Sequence, residues 1–487
     1  MAKLYLIGID AAPLWLIRKL SHEKGMEPFR KLLDGHHIID MESVLPPMTG
    51  GAWPTMYTGL HPSEHGVPDF FVMKRDYTPE LAYYDSKKNP PFWEKIASKG
   101  KKCLVITPAT DIHLPDYPNV DMMTGFPLKA KTNSRLLESL MKKYEFYGEP
   151  DIEKEMKEGK MSEEEGTKHF AKSISSRVKI AEEAIEKNDY DFVYVCFTET
   201  DRLQHFVLNM KNMEDYLLQI YAEIGKYIKY VVERAEGEGS SVMLVSDHGA
   251  QPIKEKFLLN TWMVKEGYAK LKASAMESMS EEPKEQLSYN IREKLIKSKL
   301  RKAYDKLPHA AKGVVAKSMG KLFSGTGSGE YTRLHLFDFD MEKTSAFAAV
   351  SNLMVATIWI NDSRFADGIV SKREKGKLKK ELSRKLMNIK DRHGRLMVNI
   401  WDGARYYGNT KKFIPADLLV EIRPGYMLDI YNFSRSSLFM EPEPPKRGDH
   451  TRLGIFGTYP ERPKAKGDVF SILDVHDAVL SHYGSRK

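Results

Sequence analysis

Cysteine is nearly absent: the 487 residues contain Cys103 and Cys196 alone. Both stand inside apolar runs, where a small buried residue is the expected role, and a disulfide-stapled scaffold is excluded. No apolar run reaches the roughly 18–20 residues that cross a bilayer. The opening residues, Met1 to Asp10, pass directly into a strand pattern and lack the apolar region and cleavage site of a signal peptide. A cytoplasmic protein is therefore expected. Basic patches interleaved with aromatics are also missing, so no specific nucleic-acid partner is expected. Charge is plentiful but weakly unbalanced, with 75 Lys+Arg against 67 Asp+Glu. Two stretches, Lys294 to Lys321 and Lys372 to Lys385, are Lys-rich. A solvated helix face is the ordinary reading of such runs; a basic surface that attracts anionic lipid, nucleotide or nucleic acid is the sharper one, with a weak membrane-surface contact among its forms.

What remains is the composition of a globular chain, 41% hydrophobic and 29% charged, long enough for two or three domains. Short β-rich runs at Leu4–Ile9, Lys102–Ile106, Phe192–Phe197 and Val242–Val245 alternate with helical patterns such as Lys168–Lys187 and Asn212–Glu233. That alternation predicts an α/β fold whose mainly parallel central sheet carries helices on both faces. From about residue 270 the texture changes to Ser, Met, Lys and Glu, with the turn-rich stretch Ser324–Gly329. Further strands are expected at Phe347–Val350, Val355–Ile360, Leu396–Trp401 and Asp417–Ile422. Residues 270–420 thus read as an inserted α+β lid subdomain. Residues 1–269 and 421–487 then form one domain, closed by a strand at Arg452–Phe456 and a helix at Asp468–Tyr483.

Four separated segments end in metal-binding residue types: Asp10 after the first strand, Asp201 with His205, the Asp247-His248 pair and His450. Asp201 and His205 are one helical turn apart and share a face. Each alone has an ordinary reading. Asp10 would cap a helix starting near Pro13, Asp201 would be a capping residue beside an unrelated surface His205, Asp247-His248-Gly249 would be a turn, and His450 a loop histidine. Ligands in open α/β sheets bind at the carboxyl ends of strands, and Asp10, Asp201 and Asp247 all fall just past such ends. A fifth segment, Pro46-Pro47-Met48-Thr49-Gly50-Gly51-Ala52-Trp53, offers a hydroxyl to such a site. Thr49 opens a helix, where amides and the helix dipole favour an anion.

Together these motifs resemble the alkaline phosphatase superfamily and, within it, the type I phosphodiesterase/nucleotide pyrophosphatase family. The resemblance covers residues 1–70, 190–262 and 440–485. It implies an alkaline phosphatase-like fold and two divalent metal ions, zinc with manganese as the alternative. One ion would be held by Asp201, His205 and His450, the other by Asp10, Asp247, His248 and the Thr49 oxygen. The stretch Thr58-Gly59-Leu60-His61-Pro62-Ser63-Glu64-His65-Gly66 is similar to the family's Thr-Gly-x-x-Pro-x-x-His-Gly pattern. The family's nucleophile lies nine residues before that threonine, which selects Thr49 over Thr55 and leaves Thr58 and His65 structural.

The implied activity is hydrolysis of phosphodiester or pyrophosphate bonds in a small-molecule substrate through a phospho-threonine intermediate. A phosphomonoesterase and a phospho-head-group transferase at a membrane surface are the alternatives. Two departures bear on the substrate. No Asn closely follows Thr49, and no Arg clamp for a monoester lies in that segment. Amides of Gly50 and Gly51 are expected to contact phosphate in its place, with Arg202 or a lysine of the lid as the side chain that could supply a clamp.

Overall fold

The structure is a computed structural model that describes residues 3–110, 113–115, 117–125, 129–149, 152–273, 275, 338–349, 354–391, 393–442, 447–464 and 469–484. An eight-stranded sheet runs through it in the order Phe470–Ser471, Ile38–Glu42, Leu453–Tyr459, Ser241–Val245, Leu4–Ile9, Phe192–Phe197, Cys103–Ile106, Val120–Met123. Only Leu453–Tyr459 runs against the rest, pairing antiparallel to Ile38–Glu42 on one side and Ser241–Val245 on the other. The strands Leu4–Ile9, Phe192–Phe197 and Cys103–Ile106 are buried at every residue. That burial is why they read as unbroken apolar runs, as strands covered on both faces must.

Alternation along each strand divides the core. Tyr5, Ile7, Ile9, Leu104, Ile106, Val195 and Phe197 pack with residues of the helices Glu163–Lys187 and Met213–Glu238. Leu4, Leu6, Cys103, Val105, Tyr194 and Cys196 face the other way, onto Trp53, Tyr57, Phe92, Trp93 and Val475. Both cysteines are buried and unbridged. The helix expected from Lys168 begins earlier, at Glu163, because Ser162 and Glu165 form a capping box there.

A second core lies around the four-stranded antiparallel sheet Ala346–Ala349, Val355–Ile360, Leu418–Ile422, Met397–Asp402 and the helix Lys372–Met387. It also takes in Phe71, Met73, Phe257, Trp262 and Leu428, from chain segments on either side. The Lys-rich stretch 294–321 and the turn-rich stretch 324–329 lie outside the described residues. Among the described residues no helix is long and apolar enough to cross a membrane.

Sheet order decides where the site forms. Ser241–Val245, Leu4–Ile9 and Phe192–Phe197 are adjacent and parallel, so their carboxyl ends open at one edge. Leu453–Tyr459, being reversed, starts at that same edge.

Candidate metal centre

Each site segment has its own local reason. Asp10 follows the first strand, where its amide donates to the Phe197 carbonyl at 2.9 Å and its own carbonyl accepts from Thr200 Oγ1 at 2.6 Å. It does not cap the following helix, whose N-cap, Pro13, makes no side-chain capping bond. Next to it, Ala11 holds a positive φ of 53° and donates its amide to Asp247 Oδ1 at 3.2 Å, while Ala12 donates to Ser246 Oγ at 2.8 Å. Strained backbone at a single non-glycine residue is common where function over-determines it. Nor does Asp201 cap its helix, Glu199–Val207; the N-cap is Thr198.

Gly249 serves by its size. A Cβ there would sit 1.9 Å from the Leu453 carbonyl oxygen, so only glycine lets the two chains meet. They meet as an antiparallel ladder in which Gly249 pairs with Thr451 and Ala250 with His450. That ladder carries His450 from a segment 202 positions further along the chain to the side of His248, ring over ring with centroids 3.9 Å apart. The expectation of a turn at Gly249 and a loop at His450 is corrected accordingly. Both residues are in strands.

The three imidazoles are aimed alike. Nδ1 of His205 lies 2.9 Å from the Gly448 carbonyl, Nδ1 of His248 3.1 Å from the Gly249 carbonyl, and Nδ1 of His450 3.0 Å from the Pro47 carbonyl. A carbonyl only accepts, so each Nδ1 carries the proton and each Nε2 presents a lone pair. The Nε2 atoms of His205 and His450 face each other at 3.1 Å. Asp201 Oδ1 lies 3.1 Å from His450 Nε2 and 3.4 Å from His205 Nε2, and Asp247 Oδ2 lies 3.1 Å from His248 Nε2. Thr49, the first residue of a fully buried helix, places Oγ1 3.2 Å from His248 Nε2.

This is a chamber of acceptors. Asp10 Oδ1, Asp201 Oδ1 and Asp247 Oδ2 are buried and find no hydrogen-bond donor among the described residues. Asp10 and Asp247 are 1% and 0% exposed. Ligand atoms of Asp10, Asp247 and His248 lie within 4.8 Å of one another, as do those of Asp201, His248 and His450. Buried anions without donors are strongly disfavoured unless a cation joins them. Burial, then the neighbouring Asp247 and Asp201 charges, raise the Asp10 carboxyl well above its ordinary range. Burial pushes Asp247 up to about 7. Burial would raise Asp201 as well, but His205 and His450 outweigh it and hold that carboxyl well below its usual value. His248 is held neutral, its pKa lowered by burial and by His450. The donor set of nitrogens and carboxylates fits two divalent cations of the zinc type.

Two of the expected substrate contacts have other partners. Arg202 turns away from the chamber: one residue on from Asp201, it lies about 100° around the helix. Its guanidinium is ion-paired with Glu153 and Glu149 and covers the Phe170 ring. Gly51 donates its amide to the Met48 carbonyl at 2.9 Å inside the helix, and a Cβ on it would lie 2.7 Å from the Pro68 carbonyl. Close packing, not anion contact, is what Gly51 supplies. Thr55 and Thr58 bond to carbonyls of their own helix, Gly51 and Pro54, and His65 bonds to Thr55.

Several participants escaped the sequence reading. Trp53 donates Nε1 to Asp10 Oδ2 at 3.1 Å. Its position one turn after Thr49 was the available signal. Asp449 has ligand atoms of His205 and His450 within the same 4.8 Å and accepts the His450 amide at 2.9 Å. The carbonyls of Pro47 and Gly448 leave no trace in residue type.

A family model described as type I phosphodiesterase / nucleotide pyrophosphatase matches residues 4–356. The fold is similar to that of phosphonoacetate hydrolase from Sinorhizobium meliloti 1021, solved with phosphonoacetate (TM-score 0.56, 11% identity) and with phosphonoformate (TM-score 0.55, 12% identity). Each of those matches covers 99% of this chain and 95% of the other. Murine ectonucleotide pyrophosphatase / phosphodiesterase 5 aligns at a TM-score of 0.48 and 12% identity, over 99% of this chain and 95% of that one. No curated protein matches the chain in sequence.

Proposed function

Because the chain belongs to the type I phosphodiesterase/nucleotide pyrophosphatase family, and is a hydrolase of that type, we propose that it cleaves phosphodiester or pyrophosphate bonds at a two-metal site through a phospho-threonine intermediate on Thr49. One cation would be held by Asp201, His205 and His450, and the other by Asp10, Asp247, His248 and the Thr49 oxygen. When bound, such cations lower the pKa of a hydroxyl and offset charge on phosphate oxygens. The observation that carries this reading is the set of buried carboxylate oxygens without donors beside three similarly aimed imidazoles.

Thr49 Oγ attacks phosphorus in line, its proton leaves, and the P–O bond to the alcohol or phosphate leaving group breaks. Water then hydrolyses the phospho-threonine and restores the hydroxyl. At the start of its helix Thr49 sits where the dipole favours the incoming negative charge, with Gly50 beside it. Trp53 holds Asp10 in place, and the three backbone carbonyls fix the imidazole tautomers. Zinc is the favoured metal, with manganese second. The 270–420 unit is read as a lid beside this edge of the sheet, and the two unbridged cysteines support a reducing, cytoplasmic setting.

Diesters and pyrophosphates should be preferred to monoesters. A monoester dianion carries one more charge, and Arg202, the expected clamp, is already committed to two glutamates. The test compares kcat/KM on matched nitrophenyl mono- and diesters, with and without chelator. We expect the diester to be favoured by roughly tenfold or more and both activities to vanish on chelation. A tenfold monoester preference overturns the substrate reading; activity indifferent to chelator overturns the metal site.

A further inference from the structure

The helix Lys372–Met387 has two unlike sides. Leu382 and Leu386 are buried against the four-stranded sheet. Lysines flanking that face are used internally. Lys375 reaches Asp362 and Asp417 at 2.7 Å, Lys379 reaches Asp402 at 2.6 Å, and Lys385 reaches Glu266 at 2.9 Å. Arg373, Lys377, Lys380 and Arg384 are different. All four are exposed, and none has an ion pair or side-chain hydrogen bond among the described residues. Their spacing of four, three and four places them in one row, diametrically opposite Leu382 and Leu386, over roughly 16 Å of helix. Like charges at that spacing disfavour the helix they stand on. Glu381 offsets Arg384 at a distance, but no carboxylate among the described residues forms an ion pair with the row.

We infer that this row docks the protein on an anionic bilayer surface. A straight line of cations on an outward helix face suits a flat and diffuse negative surface. Other polyanions fit less well. The helix contains no aromatic residue to stack on bases and no Asn or Gln to read base edges. A protein partner would want an apolar or aromatic anchor at the centre of the contact, and the row offers none. At its amino-terminal end Ile369, 47% exposed, stands just before the Ser371 cap, where it can enter the headgroup layer. The attraction is electrostatic, so it is reversible and sensitive to salt. It is independent of the hydrolytic reading and would hold if that reading failed.

The test is co-sedimentation of the full chain with phosphatidylcholine vesicles, with and without about 30% phosphatidylserine, in about 50 mM NaCl. Binding is expected only to the anionic vesicles. One variant replaces Arg373, Lys377, Lys380 and Arg384 by Gln; a second, matched in charge, replaces the exposed Lys87, Lys99, Lys265 and Lys411 by Gln. Each cation near such a surface is worth about fivefold in partition. The first variant should therefore lose roughly 100-fold or more, and the second only a fewfold by its change in net charge. The Lys-rich stretch 294–321 is untouched in both, so the comparison isolates the helix face. A circular dichroism spectrum and melting temperature unchanged in the first variant confirm that it folds. Equal loss in both variants, retention of binding by the first, or no vesicle binding by the wild type would overturn the inference. Tighter binding of the wild type to a DNA duplex at the same salt, lost in the first variant, would overturn the choice of a bilayer.

Discussion

Two clusters of buried charge flank the helix Glu199–Val207, and they are built on opposite rules. Behind the helix, Arg177 is ion-paired with Glu149 and Glu199, and Arg202 with Glu149 and Glu153; Thr198 and Thr107 add hydrogen bonds. Both arginine side chains are at most 4% exposed. In front of it, Asp10, Asp201 and Asp247 crowd together with His205, His248 and His450, and among the described residues no Lys or Arg is ion-paired with them. Protein interiors tolerate ionised groups when partners are at hand. The rear cluster finds an ion-pair partner within the chain for every charged group, with Arg177 Nε alone among its donors left without a hydrogen bond. The front cluster would be completed by cations from outside, which is what makes it a candidate site. Burial and charge are alike in the two; partnership separates them.

The largest expected effect falls on the front cluster. Thr49→Ala should lower kcat/KM by roughly 1,000-fold or more while leaving the fold nearly intact by circular dichroism and, since three other ligands remain on that cation, the metal content nearly intact as well. Thr55→Ala, whose hydroxyl bonds within its own helix, should keep most of the activity; the reverse pattern would move the nucleophile.

Next comes the sign of stability. In urea, Arg177→Met should destabilise the protein by about 3–5 kcal/mol, because it strands the buried Glu199 and takes one of two arginines from Glu149. Asp247→Asn should do the opposite in chelated protein, raising Tm. The chelated wild type carries a related signature. A carboxyl whose folded pKa is raised to about 7 binds more protons folded than unfolded above about pH 4. Its stabilisation is full below about pH 4 and is lost as pH climbs to 7. Stability of the chelated protein should therefore fall over that window, and metal should flatten the profile. A chelated protein that gains stability over the same window would erase the distinction between the clusters.

Metal analysis probes the front cluster from within. His205→Ala or His450→Ala should release one ion, and Asp10→Asn or His248→Ala the other. Loss of both from every variant would mean a single coupled site. Smallest of all, Arg202→Gln should change the diester-to-monoester ratio by less than about twofold while costing about 1–3 kcal/mol of stability. A larger change in the ratio would return Arg202 to the substrate.

Much of this was legible beforehand. Leu4–Ile9, Phe192–Phe197 and Val355–Ile360 run as their sequences predict, since a strand buried on both faces leaves an uninterrupted apolar signal. The α/β class with its mainly parallel sheet followed from their alternation with helices, and the resemblance of the Asp, His and Thr motifs implied the alkaline phosphatase-like form. Helix partners such as Asp201 and His205 are visible because one turn is a local distance. Arg202 misled for the same reason. Adjacency in sequence suggested adjacency in the site, whereas successive helix residues point about 100° apart. Gly249 misled differently: its residue type suggests freedom of φ, but what matters is the Leu453 carbonyl a short distance away in space.

By itself, the sequence determined which residues are chemically able to hold a cation or carry a phosphoryl group, and which local element each would ride on. Periodicity and residue type are properties of short windows, and these windows were sufficient. Only the tertiary structure decided the company each residue keeps. The reversed strand Leu453–Tyr459 and the ladder between Gly249–Pro252 and Gly448–Thr451 bring His450 over His248. Three main-chain carbonyls then turn the imidazoles toward the carboxylates. Carbonyls are the same in every residue, and long-range pairing joins segments whose windows never overlap. No reading of residue types along the chain could have supplied either.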